Sequence, residues 1–186
     1  MDASLLLVDL KAAFPAAVER PSRDMAGVTV PAADLPAVVR RLRDTHGFDL
    51  LADLTGVDAG PEAHPRFSVV LHLLGSAHHT YFRVAATCPE DAAPSVPTVS
   101  AIHPGADWHE REAFDLLGIH FEGHPDLRRI LMWDGYPHHP LRKEFPLAGV
   151  PVDLPAADVA AVTGRRVEAA PMMGGPFVSP GGTLAQ

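Results

Sequence analysis

Three consecutive segments of alternating apolar and polar residues, between positions 48 and 86, constrain the fold of this chain more than any other feature. Their apolar positions are Phe48, Leu50, Ala52 and Leu54, then Phe67, Val69, Leu71 and Leu73, then Phe82, Val84 and Ala86. A period of two indicates β-strands, and residues 75–79 have the length of a hairpin loop between the last two. Consecutive strands without intervening helices predict an antiparallel sheet packed with helices, which is an α+β fold.

Two helices and a short strand are predicted before this sheet. Ser4 can cap a first helix that Pro15 ends, and its apolar face consists of Leu6, Leu10 and Phe14. Residues 27–30 are a brief strand candidate. A second helix carries one continuous apolar stripe formed by Leu35, Val38, Val39 and Leu42. Gly47 is placed to end that helix.

Two further helices are predicted after the sheet. Pro97 can begin a short helix, whose apolar residues are Val99 and Ile102. Asp107 and Glu110 form an acidic variant of the capping box at the start of a longer helix. That helix is expected to end at Leu117, with Gly118 as its stop.

Composition divides the chain into three parts. Residues 1–123 form the predicted α+β domain and carry a net charge of −8. Residues 124–149, named the docking segment, are interrupted by prolines, and positions 124–143 carry a net charge of +2. Residues 150–186 hold five prolines and five glycines, so they are predicted to be an extended or disordered tail that wraps a partner subunit.

Several classes of protein are disfavoured by composition. A formal net charge of −8 disfavours nucleic acid as a partner. The sequence contains no run of about 20 uncharged apolar residues, so a direct membrane span is not expected. Residues 1–8 have no basic region before them and do not form a signal peptide. The single Cys88 excludes an internal disulfide and an iron–sulfur cluster bound by this chain alone, which suggests a cytoplasmic, reduced compartment.

No catalytic, cofactor-binding or metal-binding residue is assigned from the sequence. His109 and Glu110 begin an H-E-x-x-H pattern, but Ala113 occupies the second histidine position. A phosphate-binding loop, a dinucleotide fingerprint and a nucleophile elbow are all absent from the sequence. Scattered surface histidines are the favoured interpretation of the eleven in this chain.

The long helix and the docking segment contain the densest group of charged residues. His109, Glu112 and Asp115 recur every three residues, which is typical of a solvated helix face. Arg111 is spaced to pair with Asp115 at i, i+4. The docking segment mixes basic residues with large apolar ones, a composition typical of interface anchors.

Three ordered blocks resemble the signature of the 30-kDa (NuoC-type) subunit family of the proton-pumping NADH-quinone oxidoreductases, the enzymes known as respiratory complex I. Residues 110–119 read EREAFDLLGI, residues 121–131 read FEGHPDLRRIL, and residues 140–147 read PLRKEFPL. Family members commonly carry Asp and Tyr where this chain has Glu144 and Phe145. The resemblance implies an interface signature made of Glu110, Arg111, Glu112, Asp115, Gly118, His124, Pro125, Asp126, Leu127, Arg128, Arg129, Pro140, Leu141, Arg142, Lys143 and Pro146.

The resemblance implies a structural, non-catalytic subunit of the hydrophilic peripheral arm that supports the large quinone-site subunit. FMN and iron–sulfur clusters would belong to partner subunits, and this chain would hold no cofactor. The complex would lie at the cytoplasmic face of the bacterial inner membrane. Arg142, between Pro140 and Pro146, is expected to form a bidentate bond to a carboxylate in its own domain or on the large quinone-site subunit.

The sequence leaves two alternatives open. The first is the homologous accessory subunit of a membrane-bound hydrogenase-type complex, which would share the fold and the docking role. The second is a stand-alone hydrolase or metalloenzyme that uses His109, Glu112 and Asp115.

Overall fold

The structure is a computed structural model that describes residues 3–150 of the chain. Its helices are α1 (Ala3–Ala13), α2 (Leu35–His46) and α3 (Ala106–Leu117), and a 3₁₀ turn (Ala32–Asp34) precedes α2. Its strands are β1 (Val18–Glu19), β2 (Gly27–Pro31), β3 (Leu50–Asp58), β4 (Phe67–Gly75), β5 (Thr80–Thr87), β6 (Ser95–Pro97) and β7 (His120–Glu122). The predicted tail, apart from Val150, lies outside the described residues.

The main sheet has the strand order β1-β2-β5-β4-β3, which confirms the α+β fold. The three predicted strands pair antiparallel as β3-β4-β5, and the β4–β5 connection is the predicted hairpin. One pairing adds to that prediction, because β2 pairs with β5 in parallel and makes the sheet mixed. Helix α2 and strands β3 and β4 lie between β2 and β5 in the sequence. This long connection allows β5 to run parallel to β2.

The core lies on one face of the main sheet. Residues directly opposite each other across a ladder point to the same face, and Leu54, Leu71 and Val84 form one such row. All three are buried, and they belong to a core cluster that also includes Leu42 of α2 and Leu117 of α3. The helices therefore cover the face that the alternating apolar residues create.

The first predicted strand departs from its expected alternation. Leu50 was expected to face the core, but its side chain is 49% exposed. The register of β3 against β4 shifts between Leu51 and Asp53, where a β-bulge inserts an extra residue. A bulge reverses the inward and outward positions on either side of it, so Leu54 is buried and Leu50 is not.

The helix predicted from Pro97 is wrong. Pro97 ends strand β6, which pairs in parallel with β7, and Thr98 continues this ladder by donating its N–H to Glu122 O at 2.9 Å. A turn follows, in which Ile102 N donates to Val99 O at 2.8 Å. Val99 and Ile102 are nevertheless buried, because the turn directs them into the same core.

Helix α3 ends at Leu117 as predicted, but it begins two residues before the predicted start and is not held by the predicted capping box. Its N-cap is Gly105, without a side-chain capping bond, so the capping role assigned to Asp107 and Glu110 is wrong. Gly118 ends the helix with φ +75°, and Gly47 ends α2 with φ +72°, as expected for left-handed C-caps.

A close approach to strand β3 positions α3. A Cβ atom on Gly56 would lie 2.6 Å from Leu117 Cδ1 and 3.0 Å from Ile119 Cδ1, so a larger residue there would have to displace both side-chain ends. Within residues 3–150, none of the helices has both the length and the apolar run needed to cross a bilayer.

Candidate functional site

Helix α3 buries three charged side chains where it meets the docking segment. Glu110 and Asp115 are fully buried, and Arg111 is 6% exposed. Glu112, on the same helix, is exposed. The interpretation of α3 as a solvated face is therefore wrong for Asp115, because residues 129–132 fold over that side of the helix.

Asp115 holds the backbone of the docking segment. Its Oδ2 atom accepts the N–H groups of Ile130, Leu131 and Met132 at 3.0, 2.6 and 2.8 Å. Its Oδ1 atom accepts a bond of 2.6 Å from Arg129 Nη1. One carboxylate thus satisfies three consecutive backbone donors and a guanidinium, which fixes an irregular segment on a rigid helix.

The pKa of Asp115 reflects two opposing effects. Burial by itself would raise it, but the three backbone N–H bonds and the Arg129 guanidinium favour the ionised form more strongly. The net result is a pKa below the ordinary value for an aspartate. Asp115 is therefore a charged structural anchor at neutral pH.

Arg111 does not pair with Asp115, contrary to the spacing argument. Its Nε and Nη2 atoms donate to Arg128 O at 3.2 Å and Arg129 O at 3.3 Å. The guanidinium also lies 5.2 Å from the centre of the Trp108 ring. Because Arg129 occupies the Asp115 carboxylate, Arg111 is used to bind the docking segment through its carbonyl groups.

Glu110 joins α3 to the β6–β7 sheet. It accepts the N–H of Val99 at 2.8 Å and the hydroxyl of Thr98. His124 Nε2 lies 3.8 Å from Glu110 Oε2 and 2.9 Å from Asp107 Oδ1, with the imidazole fully buried. Burial raises the pKa of Glu110, against the two hydrogen bonds and the nearby His124.

Among residues 3–150, Arg142 binds the end of α3 and no carboxylate, so the expected carboxylate on the large quinone-site subunit stays a prediction. Its Nε atom donates to Leu117 O at 2.8 Å, and its guanidinium lies 5.1 Å from the centre of the Phe67 ring. The Leu117 carbonyl has no partner within the helix, so a cation there is favourable. His139 Nδ1 lies 2.9 Å from Asp115 O on the same helix end.

Sequence reasoning missed a second anchor, built on Asp58 at the end of β3. Arg66 Nε and Nη2 bind both Asp58 oxygens at 2.7 Å, and Lys143 N donates to Asp58 Oδ2 at 2.8 Å. Arg66 also pairs with Glu144. The Arg66 guanidinium holds the pKa of Asp58 well below its usual range. The only sequence signal for this anchor was that Asp58 stands at the inward-facing end of an alternating strand.

The other signature residues lie nearer the surface. Asp126 and Arg128 form an exposed ion pair of 2.8 Å, while Leu127 packs against the core. Pro125, Leu141, Lys143 and Pro146 are exposed, and Pro140 is half-buried. The structure therefore brings Glu110, Arg111, Asp115, Gly118, His124, Leu127, Arg129 and Arg142 into one network around α3.

Several apolar side chains of α3 and the docking segment are exposed to solvent. Trp108 is 61% exposed, Leu131 and Leu141 are each 59% exposed, and Leu147 is fully exposed. Among residues 3–150, histidine, cysteine and acidic side chains do not form a group of three or more suited to a metal ion. The arrangement can hold an irregular, apolar-bearing surface in one conformation, which is the chemistry of a docking surface.

Several known proteins are similar to this chain in sequence. The model of the family "Respiratory-chain NADH dehydrogenase, 30 Kd subunit" matches residues 28–151. The C subunit of the NADH-quinone oxidoreductase of Phenylobacterium zucineum is 50% identical over 122 residues, covering 66% of this chain and 57% of that protein. The corresponding protein of Burkholderia thailandensis is 49% identical over 129 residues, covering 66% and 64%. The chain thus spans less than two thirds of the length of these relatives.

A solved structure has the same fold. It belongs to a membrane-bound sulfane sulfur reductase, an archaeal respiratory membrane complex, with a TM-score of 0.65 and 24% identity. The match covers 90% of this chain and 96% of that chain, and at this identity it supports the fold alone. The resemblance drawn from residues 110–147 is confirmed by the family match, which includes every signature residue of α3 and the docking segment. The chain therefore belongs to the family of the 30 kDa subunit of respiratory-chain NADH dehydrogenase.

Proposed function

We propose that this chain is a structural, non-catalytic subunit of the peripheral arm of a proton-translocating NADH-quinone oxidoreductase. The observation that carries the proposal is the buried network through which α3 fixes the docking segment. Arg111 and Asp115 bind the backbone of residues 128–132, and the Arg142 side chain binds Leu117 O at the end of α3. A subunit whose task is assembly needs such a fixed surface, because a partner then loses less conformational freedom on binding.

The proposed partner is the large quinone-site subunit, together with other subunits of the arm. The exposed Leu131, Leu141 and Leu147 are the apolar anchors of the proposed interface. Both relatives named above are subunits of NADH-quinone oxidoreductases, which supports the assignment to this complex. The proposed location is the cytoplasmic face of the bacterial inner membrane, reached through partner subunits.

The electron carriers of the reaction are proposed to belong to partner subunits. FMN and iron–sulfur clusters bind through motifs that this sequence lacks, and its single cysteine, Cys88, is buried. Burial raises the pKa of Cys88 to about 12, so the thiol is not a ready ligand at neutral pH. The proposed contribution of the chain to electron transfer is to support the quinone-site subunit.

Assembly of the complex tests this proposal. Arg142→Lys is expected to weaken assembly of the peripheral arm, because lysine cannot reproduce the planar guanidinium between Leu117 O and Phe67. Truncation after Leu147 is expected to weaken assembly further by removing the predicted wrapping tail. Native gels would measure assembly, and quinone reductase activity of the membranes would measure function.

Matched measurements separate assembly from folding. Glu112→Gln, an exposed change on α3, is expected to assemble normally. Thermal melting of the isolated subunit should show that residues 1–118 stay folded in both test variants. Normal assembly and normal quinone reductase activity in Arg142→Lys and in the truncated chain would contradict the proposed role of this region.

A second candidate is the equivalent subunit of a membrane-bound complex of the hydrogenase type. The fold shared with the archaeal sulfane sulfur reductase complex favours keeping it. Purification of the chain with its bound partners would separate the two. Co-purifying flavin subunits that bind NADH would support the quinone enzyme, and a large subunit with a nickel site would support the second candidate.

A further inference from the structure

A cleft of about 930 Å³ lies between the loop at residues 89–95, the end of α3 and the docking segment. Phe114 and Pro94 give it apolar walls, and its polar side chains include Glu90, Glu122, His139 and Arg142. Its volume is far larger than a single carboxylate or phosphate needs, and it is of the size that holds a short peptide segment.

Gly118 lines the cleft where α3 ends. A Cβ atom on Gly118 would lie 2.6 Å from Arg142 Nη2 and also 2.6 Å from His139 Nε2. The two nitrogens are therefore no more than twice that distance apart, above a residue without a side chain. We name this arrangement of Gly118, His139 and Arg142 the Gly118 notch.

The Nη groups of Arg142 are unused hydrogen-bond donors at the notch within the described part of the chain. Its Nε atom is used by Leu117 O, which leaves the Nη groups for another acceptor. The neighbouring acids Asp58 and Glu144 are both bound by Arg66. Among residues 3–150, no carboxylate lies within ion-pair distance of the Arg142 guanidinium.

His139 contributes an acceptor to the same notch. A carbonyl oxygen can only accept, so the contact of 2.9 Å with Asp115 O requires the proton on Nδ1. Burial lowers the pKa of His139, and the positive charges of Arg142 and Arg129 act in the same direction against the Asp115 carbonyl bond. The ring is therefore neutral near pH 7, and its Nε2 atom carries a lone pair.

We propose that the Gly118 notch binds an extended segment of a partner subunit, which places an acidic side chain on Arg142 and donates a backbone N–H to His139 Nε2. This inference rests on the proposed role of the chain as a subunit of a larger complex. Glu90 and Glu122 also line the cleft and repel any anion, so a freely diffusing anion is disfavoured, whereas a peptide acid has the segment's other contacts to offset this repulsion.

Site-specific photo-crosslinking in the assembled complex tests the proposal. A benzoyl-phenylalanine residue would replace Ala93, an exposed residue of the cleft, and in a separate control Ala12, an exposed residue of α1. The cleft position is expected to crosslink to a partner segment that contains an aspartate or glutamate, identified by mass spectrometry. The control position should not crosslink to that segment.

Substitutions in the notch refine the test. Arg142→Gln should lower the crosslink yield about tenfold or more, the scale for removing one member of a desolvated ion pair. His139→Asn keeps a donor near Asp115 O but removes the Nε2 acceptor, and should lower the yield less. Exchange of the charges, with Arg142→Glu here and lysine in place of the partner acid, should restore the yield.

Three outcomes would overturn the proposal. They are crosslinks only to residues 151–186 of the same chain, crosslinks to a segment without an acid, and a yield no higher than that of the control. In each case normal co-purification with the other subunits would leave the proposed function standing. Failure of the unmodified chain to co-purify with any subunit would instead contradict the proposed function itself.

Discussion

At the scale of single residues, α3 buries two carboxylates whose pKa values shift in opposite directions. Asp115 meets three backbone N–H groups and Arg129, and its pKa is lowered. Glu110 meets only two donors and the nearby His124, and burial raises its pKa. Glu110 loses more hydration and has fewer donors, whereas the N–H groups and the guanidinium around the ionised Asp115 outweigh its loss of hydration.

Asp115→Asn should destabilise the fold by about 3–5 kcal/mol, since it leaves Arg129 without its buried partner. A carboxyl group with a lowered pKa stabilises the protein above about pH 4, and this contribution is lost as the pH falls through the folded pKa. The difference in unfolding free energy between wild type and Asp115→Asn should therefore be largest above pH 4 and shrink in acid. Denaturant unfolding from low to neutral pH would measure it.

Glu110→Gln is the matched comparison on the same helix. A carboxyl group with a raised pKa stabilises the protein below its unfolded pKa, and the contribution disappears as the pH rises through the folded pKa. Glu110→Gln should therefore gain stability relative to wild type as the pH rises. If the unfolding free energies of Asp115→Asn and Glu110→Gln, each relative to wild type, showed the same pH dependence, the opposite pKa shifts of Asp115 and Glu110 would be contradicted.

At the scale of elements, two helices end on glycines with nearly the same backbone but different surroundings. Gly47 has φ +72° and Gly118 has φ +75°. A Cβ on Gly47 would have His78 as its nearest neighbour at 3.9 Å, whereas one on Gly118 would meet Arg142 and His139 at 2.6 Å. The first glycine ends a helix, and the second also leaves room for the docking segment.

Gly118→Ala and Gly47→Ala form a matched pair. Both should lose about 1–2 kcal/mol from the left-handed backbone conformation. Gly118→Ala should lose about 1–3 kcal/mol more, because the added methyl group displaces Arg142 and His139. Denaturant unfolding would measure both losses, and limited proteolysis would show whether residues 139–142 become exposed. Equal losses in the two variants would show that the notch can expand without strain.

At the scale of the whole molecule, the basic character of the docking segment is mostly used inside the chain. Arg128 pairs with Asp126, and Arg129 pairs with Asp115. Only Arg142 and Lys143 of its four basic residues form no ion pair within residues 3–150. The segment is therefore better suited to a specific contact through Arg142 than to nonspecific binding of anionic surfaces.

The purified chain should therefore bind anionic liposomes weakly at physiological salt, because its formal net charge is −8 and two of the four basic residues of the docking segment are held in ion pairs. It should also be colourless, without flavin absorbance or a cluster signal in electron paramagnetic resonance. Liposome co-sedimentation and absorption spectra of the full chain would test both expectations. Strong sedimentation, or a stoichiometric prosthetic group that survives purification, would contradict them.

The sequence by itself determined the features that depend on neighbouring residues. The stripe from Leu35 to Leu42, the αL stops at Gly47 and Gly118, and the β4–β5 hairpin were all predicted correctly. Each follows from local periodicity or from the conformational freedom of one glycine. The signature blocks in residues 110–147 also identified the family without any structural information.

Only the tertiary structure decided which distant groups meet. Asp58 binds the backbone of Lys143, 85 positions away, and Asp115 binds the backbone of residues 130–132. The bulge that exposes Leu50 depends on the register with β4. Spacing along the chain indicates which side chains share a face, but a carboxylate takes the donors that the whole fold brings to it. Asp115 therefore binds Arg129 and leaves Arg111, its neighbour at i−4, to bind carbonyl groups.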